Sequence, residues 1–122
     1  MRSAMQSLGG RGYVSEADAG AMSAASSEPV GSRENPVRAA MPIGQRNYLN
    51  RLRCSDGKAP SYERSGSAGA GPYGSIIDLY IVQCPDAEPS EAQIYIDMYH
   101  RHVETEAVPG FDIVPPGTLP AT

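Results

Sequence analysis

The chain has 122 residues and a formal net charge of −4 at pH 7, a length that allows one domain at most. The 10 basic residues are outnumbered by 14 acidic ones, so the contiguous basic surface of a nucleic-acid-binding protein is not expected. No run of eighteen apolar residues is present, so we predict no membrane span. The first residues also lack the continuous apolar segment of a secretory signal.

Residues 1–35 are poor in large apolar side chains and rich in Gly, Ser and Ala. Such a stretch buries too little area to offset the entropy lost on ordering, so we predict a disordered N-terminal segment at 1–35. Pro36 marks its end, because proline biases the preceding residue away from helix. The sequence then predicts a single small domain at 36–115 and a flexible C-terminal tail at 116–122.

A helix is predicted at 40–54, with Pro42 in its first turn, where the missing N–H is tolerated. Apolar residues recur at helical spacing along it, and Gly57 follows as a stop signal. The best-defined strands are 75–84, rich in β-branched residues, and 92–101, which alternates in polarity. The loop between these strands contains two prolines, so they are expected to form an antiparallel hairpin.

Two shorter segments complete the predicted sheet. Residues 61–65 have the composition of a short edge strand, and 111–114 form another one before two prolines prevent further pairing. The predicted fold class is therefore α+β, with one short helix packed on a small antiparallel sheet of three to four strands.

The only two cysteines of the sequence, Cys54 and Cys84, fall at the end of the predicted helix and of the first hairpin strand. We predict a disulfide between them, because a domain of this size gains much of its stability from a cross-link. The alternative is a pair of ordinary buried thiols.

The face of the first hairpin strand that the helix covers is left open by the sequence. Ile77, Leu79 and Ile81 form its more apolar face, whereas Cys84 shares the parity of Tyr80 and Val82. If the helix covers the isoleucine face, a bulge near residue 83 is needed to bring Cys84 round to Cys54. If both faces are covered, the helix can lie over Tyr80 and Val82.

No catalytic residue is predicted. The letters GAGPYG at 69–74 match a dinucleotide-binding fingerprint, but a strand follows them where that motif requires a helix. A flexible connection into the strand is the better interpretation. A Cys–His nucleophilic pair would need a free cysteine and an orienting residue that the sequence does not identify.

His100, His102 and Glu104 alternate along one face if the chain there is extended. Two imidazoles and a carboxylate can bind zinc or iron, so these three residues are candidate metal ligands. The alternative is a solvated strand end that carries two histidines.

Tyrosine is the dominant aromatic residue, with seven against one Phe and no Trp. On the predicted hairpin, Tyr95, Asp97 and Tyr99 share one face, with Tyr80 across the pair. Tyrosines and carboxylates suit a protein-recognition surface, because tyrosine offers a large contact area at low entropic cost. The alternative is that these tyrosines cover the second face of a thin sheet.

The segments PIGQ at 42–45, LNRLRCSDG at 49–57, GPYG at 71–74 and YIDMYH at 95–100 resemble small exported proteins of Gram-negative bacteria that have no established function. The resemblance implies a periplasmic or secreted location and no activity. We therefore expect a non-enzymatic protein-binding module of the bacterial envelope, for example an inhibitor or an immunity-type protein. Its partner would be another protein, such as an envelope hydrolase or a toxin, and no cofactor is expected. The alternative function is metal binding.

Overall fold

The computed structural model describes residues 19–117, and this part of the chain contains two helices and six strands. In chain order they are α1 Ala19–Ala25, β1 Val37–Arg38, α2 Met41–Arg51, β2 Leu52–Arg53, β3 Ser61–Ala70, β4 Ile76–Gln83, β5 Glu91–Asp97 and β6 Asp112–Ile113. Four strands form one sheet in the order β1-β5-β4-β3, and β2 pairs with β6 separately. The predicted α+β class is confirmed. The sheet is mixed rather than purely antiparallel, because β1 runs parallel to β5.

Helix α2 begins at Met41 with Pro42 in its first turn and ends at Arg51. It is shorter than the predicted helix at 40–54, because Leu52 leaves the helix with an extended backbone and pairs with Ile113 in the two-stranded sheet. None of the helices in the described chain is long and apolar enough to cross a membrane.

The predicted hairpin is confirmed by the antiparallel pairing of β4 with β5, in which Leu79 lies opposite Tyr95. Strand β5 ends at Asp97, four residues before the predicted end. The chain turns there because one Asp97 carboxylate oxygen accepts the backbone N–H of Tyr99 at 3.0 Å. The following residues instead hydrogen-bond with residues 39–41, which connect β1 to α2.

The structure settles which face of β4 the helix covers. Tyr80, Val82 and Cys84 belong to the buried core cluster. On the other face Ile77 is buried but lies outside that cluster, and Leu79 and Ile81 are only half-buried. The β4–β5 pairing continues without a register shift to residue 83, so no bulge is needed. The whole core cluster consists of Val30, Val37, Ala39, Tyr48, Leu49, Leu52, Cys54, Tyr80, Val82, Cys84, Ile94, Ile96, Val108 and Phe111.

Cys54 and Cys84 form the predicted disulfide, with a Cα–Cα distance of 5.8 Å. Both residues are 2% exposed. The bridge joins the chain just after β2 to the chain just after β4, and so it attaches the end of the helical segment to the sheet.

Two shorter predicted strands have different lengths or partners from those expected. The strand predicted at 61–65 extends to Ala70 as β3, an edge strand that pairs with β4 despite two register shifts. Residues 71–74 form the turn between β3 and β4. The strand predicted at 111–114 is β6, which pairs with β2 rather than with the main sheet.

The N-terminal boundary also differs from the prediction. Residues 1–18 of the segment predicted to be disordered lie outside the described residues, but residues 19–35 include α1 and the core residue Val30, which is 7% exposed. The carbonyl of Gly31 accepts the N–H of Tyr95 at 2.8 Å, so backbone pairing holds this segment against β5. In the structure, contacts with the sheet therefore begin before residue 36. Of the predicted tail at 116–122, residues 118–122 lie outside the described range.

Candidate functional site

The predicted tyrosine and aspartate surface is not assembled on one face. Tyr80 lies opposite Ile94 and Tyr95 lies opposite Leu79, so the two tyrosines point to opposite sides of the sheet. Tyr80 is 5% exposed, and its hydroxyl donates to Gln45 Oε1 at 3.0 Å. Only Tyr95 and Tyr99 of the four predicted residues are partly accessible.

Asp97 is fully buried, so it belongs to the interior of the protein and not to an exposed recognition surface. Its carboxylate accepts hydrogen bonds from the Ser75 hydroxyl and the Tyr99 backbone N–H, and one of its oxygens lies 3.3 Å from His100 Nε2. The ring of Tyr73 packs edge-on against His100, with centroids 4.9 Å apart. The carboxylate therefore fixes the point at which the chain leaves β5.

The predicted metal ligands are separated by the same arrangement. His100 is buried beside Asp97, whereas His102 is partly exposed and its Nε2 lies 3.5 Å from Glu104 Oε1. Within residues 19–117, no three His, Cys, Asp or Glu side chains are positioned to hold a metal ion. The structure does not bring His100, His102 and Glu104 together as one set of ligands, because the strand ends before these residues and their alternation is lost.

A buried polar network holds α2 against the sheet. Gln45 donates to Asp78 Oδ2 at 2.8 Å while accepting the Tyr80 hydroxyl, and Arg64 donates to the other Asp78 oxygen at 2.8 Å. Burial, with Asp78 nearby, raises the pKa of Tyr80. This network fixes which side of the helix faces the sheet and which side remains available.

The available side of α2 borders a cleft of about 830 Å³, a volume within the usual range for ligand pockets. The opposite wall comes from residues 102–104, with residues 116–117 also contributing. The lining residues are Arg38, Ala39, Ala40, Ile43, Gly44, Asn47, Tyr48, Asn50, Arg51, His102, Val103, Glu104, Pro116 and Gly117.

Two large aliphatic side chains in this lining are exposed. Ile43 on α2 is 61% exposed, and Val103 on the opposite wall is 59% exposed. Exposed apolar side chains that occur singly are common on protein surfaces. Here they border the same concave site from two different segments, so one bound group can contact both.

The cleft contains a buried tyrosine and a buried arginine that connect its two walls. The Tyr48 hydroxyl donates to the carbonyl of Glu106 at 2.9 Å, and Arg51 donates to the carbonyl of Glu104 at 2.7 Å. Arg51 also lies over the Tyr48 ring, 5.7 Å from its centroid. Burial is the main cause that raises the pKa of Tyr48 and lowers the pKa of Arg51. These contacts hold the 102–106 segment at a fixed distance from α2.

Sequence reasoning identified two lining residues, His102 and Glu104, but as ligands of a different site. The signal for the cleft was present in Ile43, which is apolar but lies away from the buried residues of α2. Val103 gave a second signal, as an apolar residue in an otherwise polar segment. Nothing in the sequence showed that these two residues would face one cleft.

Comparisons with protein families, with curated protein sequences and with solved structures find no match to this chain.

Proposed function

We propose that this protein is a non-enzymatic protein-binding module of the bacterial envelope, and that the cleft beside α2 binds a segment of its partner. The observation that carries the proposal is the pair of exposed aliphatic residues, Ile43 and Val103, on two walls of one cleft of about 830 Å³. Desolvating such side chains in a concave site supplies binding free energy at about 25 cal/mol per Å² of apolar area. This site replaces the predicted tyrosine and aspartate surface.

One observation supports the envelope as the location, and one expectation from the sequence agrees with it. The Cys54–Cys84 disulfide is of a kind that forms and persists in oxidising compartments. The sequence resemblance to exported Gram-negative proteins points to the same location. An inhibitor or immunity-type protein, with an envelope hydrolase or toxin as its partner, fits a compact cross-linked scaffold.

The reactive side chains of the lining favour binding over catalysis. His102 and Glu104 lie 3.5 Å apart and pair with each other. Tyr48 and Arg51 donate to backbone carbonyl groups that join the two walls. Each of these residues therefore has a structural partner within the cleft.

The test is a selection of random twelve-residue peptides displayed on phage against the purified, oxidised protein. Selected peptides are then titrated against an Ile43→Asp/Val103→Asp variant. We expect at least a tenfold loss of affinity, since the change places charge where apolar groups bind. The control is Ile76→Asp, which alters another exposed isoleucine, 49% exposed and outside the cleft lining.

Melting temperatures close to that of the wild type would show that both variants fold, because the three substituted side chains are exposed. Peptides that bind the cleft variant as tightly as the wild type would refute the proposed site.

A further inference from the structure

We propose that residues 118–120 of the chain itself are a resident ligand of the cleft, with the side chain of Leu119 packed against Ile43 and Val103. These three residues lie outside the described range. The contact goes beyond the proposed function, because any partner segment then has to displace Leu119.

The described chain ends at the wall of the cleft. The backbone N–H of Val114 donates to the carbonyl of Arg51 at 2.9 Å, and the Arg51 guanidinium donates to the carbonyl of Val114 at 3.4 Å. Arg51 lines the cleft, and so do Pro116 and Gly117, which are the last two described residues. The chain therefore continues into residue 118 from a position within the lining.

A turn at residues 116–117 sets the direction in which the chain continues. Gly117 has a φ of +83°, and a proline followed by such a glycine is the favoured pair at the centre of a type II turn. The turn reverses the chain, and two further residues extend it by at most about 7 Å. Leu119 is therefore held beside the cleft.

Leu119 also has the chemistry that the cleft exposes. It is the first large aliphatic residue after Val114 in the sequence, and its neighbours Thr118 and Pro120 are uncharged. Ile43 is 61% exposed and Val103 is 59% exposed, so both have apolar area left to bury. Removing that area from water favours the contact without requiring any charged group of the lining.

The polar lining residue Asn47 suits the backbone of such a segment. It is exposed on α2, four residues after Ile43 and so on the same side of the helix. Its side-chain amide offers donors and an acceptor, which match the carbonyl and N–H groups of an extended chain. Pro120 favours an extended backbone at Leu119.

Occupation by Leu119 makes the cleft selective. A ligand that is part of the chain acts at a high effective concentration, which a separate partner must overcome. A partner segment therefore needs more apolar contact, or more hydrogen bonds, than residues 118–120 provide.

The first experiment is methyl NMR of the whole chain with labelled Ile, Leu and Val. We expect nuclear Overhauser cross-peaks from the Leu119 methyls to those of Ile43 and Val103. Leu119→Ala should shift the Ile43 and Val103 resonances and leave those of Ile76, which lies outside the cleft lining, unchanged. Thr122→Ala is the matched control in the same segment and should shift none of them.

The second experiment measures competition, using the selected peptides whose binding depends on Ile43 and Val103. The apparent affinity of a peptide is reduced by the fraction of molecules in which the cleft is filled. If Leu119 fills it in about nine molecules of ten, Leu119→Ala should tighten peptide binding about tenfold, whereas Thr122→Ala should leave it unchanged.

Unchanged Ile43 and Val103 resonances in Leu119→Ala would overturn this inference, and so would unchanged affinity for those peptides. Cross-peaks that arise only between differently labelled chains in a mixed sample would also overturn it, because Leu119 would then come from a second copy. If no peptide depends on Ile43 and Val103, the proposed function fails, and the methyl experiment alone decides whether Leu119 occupies the cleft.

Discussion

Removing the Cys54–Cys84 disulfide should have a large effect on stability, which the structure allows us to work out. The two cysteines are 30 residues apart in the sequence. In the chain-entropy model, a closed loop of this size lowers the entropy of the unfolded chain enough to stabilise the folded state by about 3.6 kcal/mol at 25 °C. For a domain of roughly 100 residues, each kcal/mol shifts the melting temperature by about 4–8 °C. The expected fall is therefore about 14–29 °C.

The assay is thermal unfolding followed by circular dichroism and calorimetry, for the oxidised wild type and for Cys54→Ala/Cys84→Ala. Both cysteines are buried, so the alanine variant also loses packing around the two sulfur atoms. The reduced wild type keeps these atoms and isolates the contribution of the cross-link. The reduced protein should account for most of the fall in melting temperature.

A fall of less than about 5 °C on reduction would refute this reasoning. It would mean that the unfolded chain is already restrained, or that the bridge strains the folded state. Intact mass after alkylation without reductant provides a direct check, since two alkylated thiols in natively purified protein would show that the bridge is absent.

Three further predictions follow from buried contacts. In denaturant titrations, Asp97→Ala should lower the free energy of unfolding by about 2–3 kcal/mol, because buried donors lose their acceptor. The control, Glu91→Ala at the exposed start of the same strand, should change it by less than about 0.5 kcal/mol. Equal effects would contradict a structural role for Asp97. Gly31→Ala should lower the free energy of unfolding by about 1–3 kcal/mol more than Gly57→Ala does. Both glycines have positive φ, but of the two only residue 31 would bring a new Cβ against another side chain, at 2.6 Å. Equal losses of stability would argue against the packing of the N-terminal segment. The raised pKa of Tyr48 means that the folded state retains a proton that the unfolded state loses above about pH 10, so stability should fall as pH rises beyond that point. Urea titrations between pH 8 and 11 should show a smaller fall for Tyr48→Phe, and an unchanged slope would contradict the assignment.

The parts of the fold that follow from local patterns were predictable. Alternation predicted the β4–β5 hairpin, helical spacing predicted the main helix, and the placement of the two cysteines predicted the disulfide. Strand β1 was not predicted, because two residues that pair in parallel with β5 leave no periodic pattern. Residues 19–35 were assigned to a tail on composition alone, although the contact of Gly31 with β5 uses only backbone groups.

The site was harder to predict because it depends on contacts between distant segments. Alternation placed Asp97 on an exposed face, but the carboxylate instead folds back to the N–H of Tyr99 and ends the strand. Tyr80 was assigned to a recognition surface because the sequence left open which face of β4 the helix covers; the hydrogen bond from Tyr80 to Gln45 decides it. The cleft joins α2 to residues 102–104, about fifty positions apart, and no local pattern reports such an approach.

The manner in which the N-terminal segment joins the sheet also bears on self-association. A regular strand edge with unpaired N–H and carbonyl groups is a template for adding another chain. On one side β5 is covered by β1 and the carbonyl of Gly31, and on the other side β3 is interrupted by two register shifts. A shortened chain that began at residue 36 would leave the N–H of Tyr95 without its acceptor at the uncovered edge. Its characteristic defect would be aggregation through that edge, so residues 19–35 prevent aggregation of the protein as well as stabilising its fold.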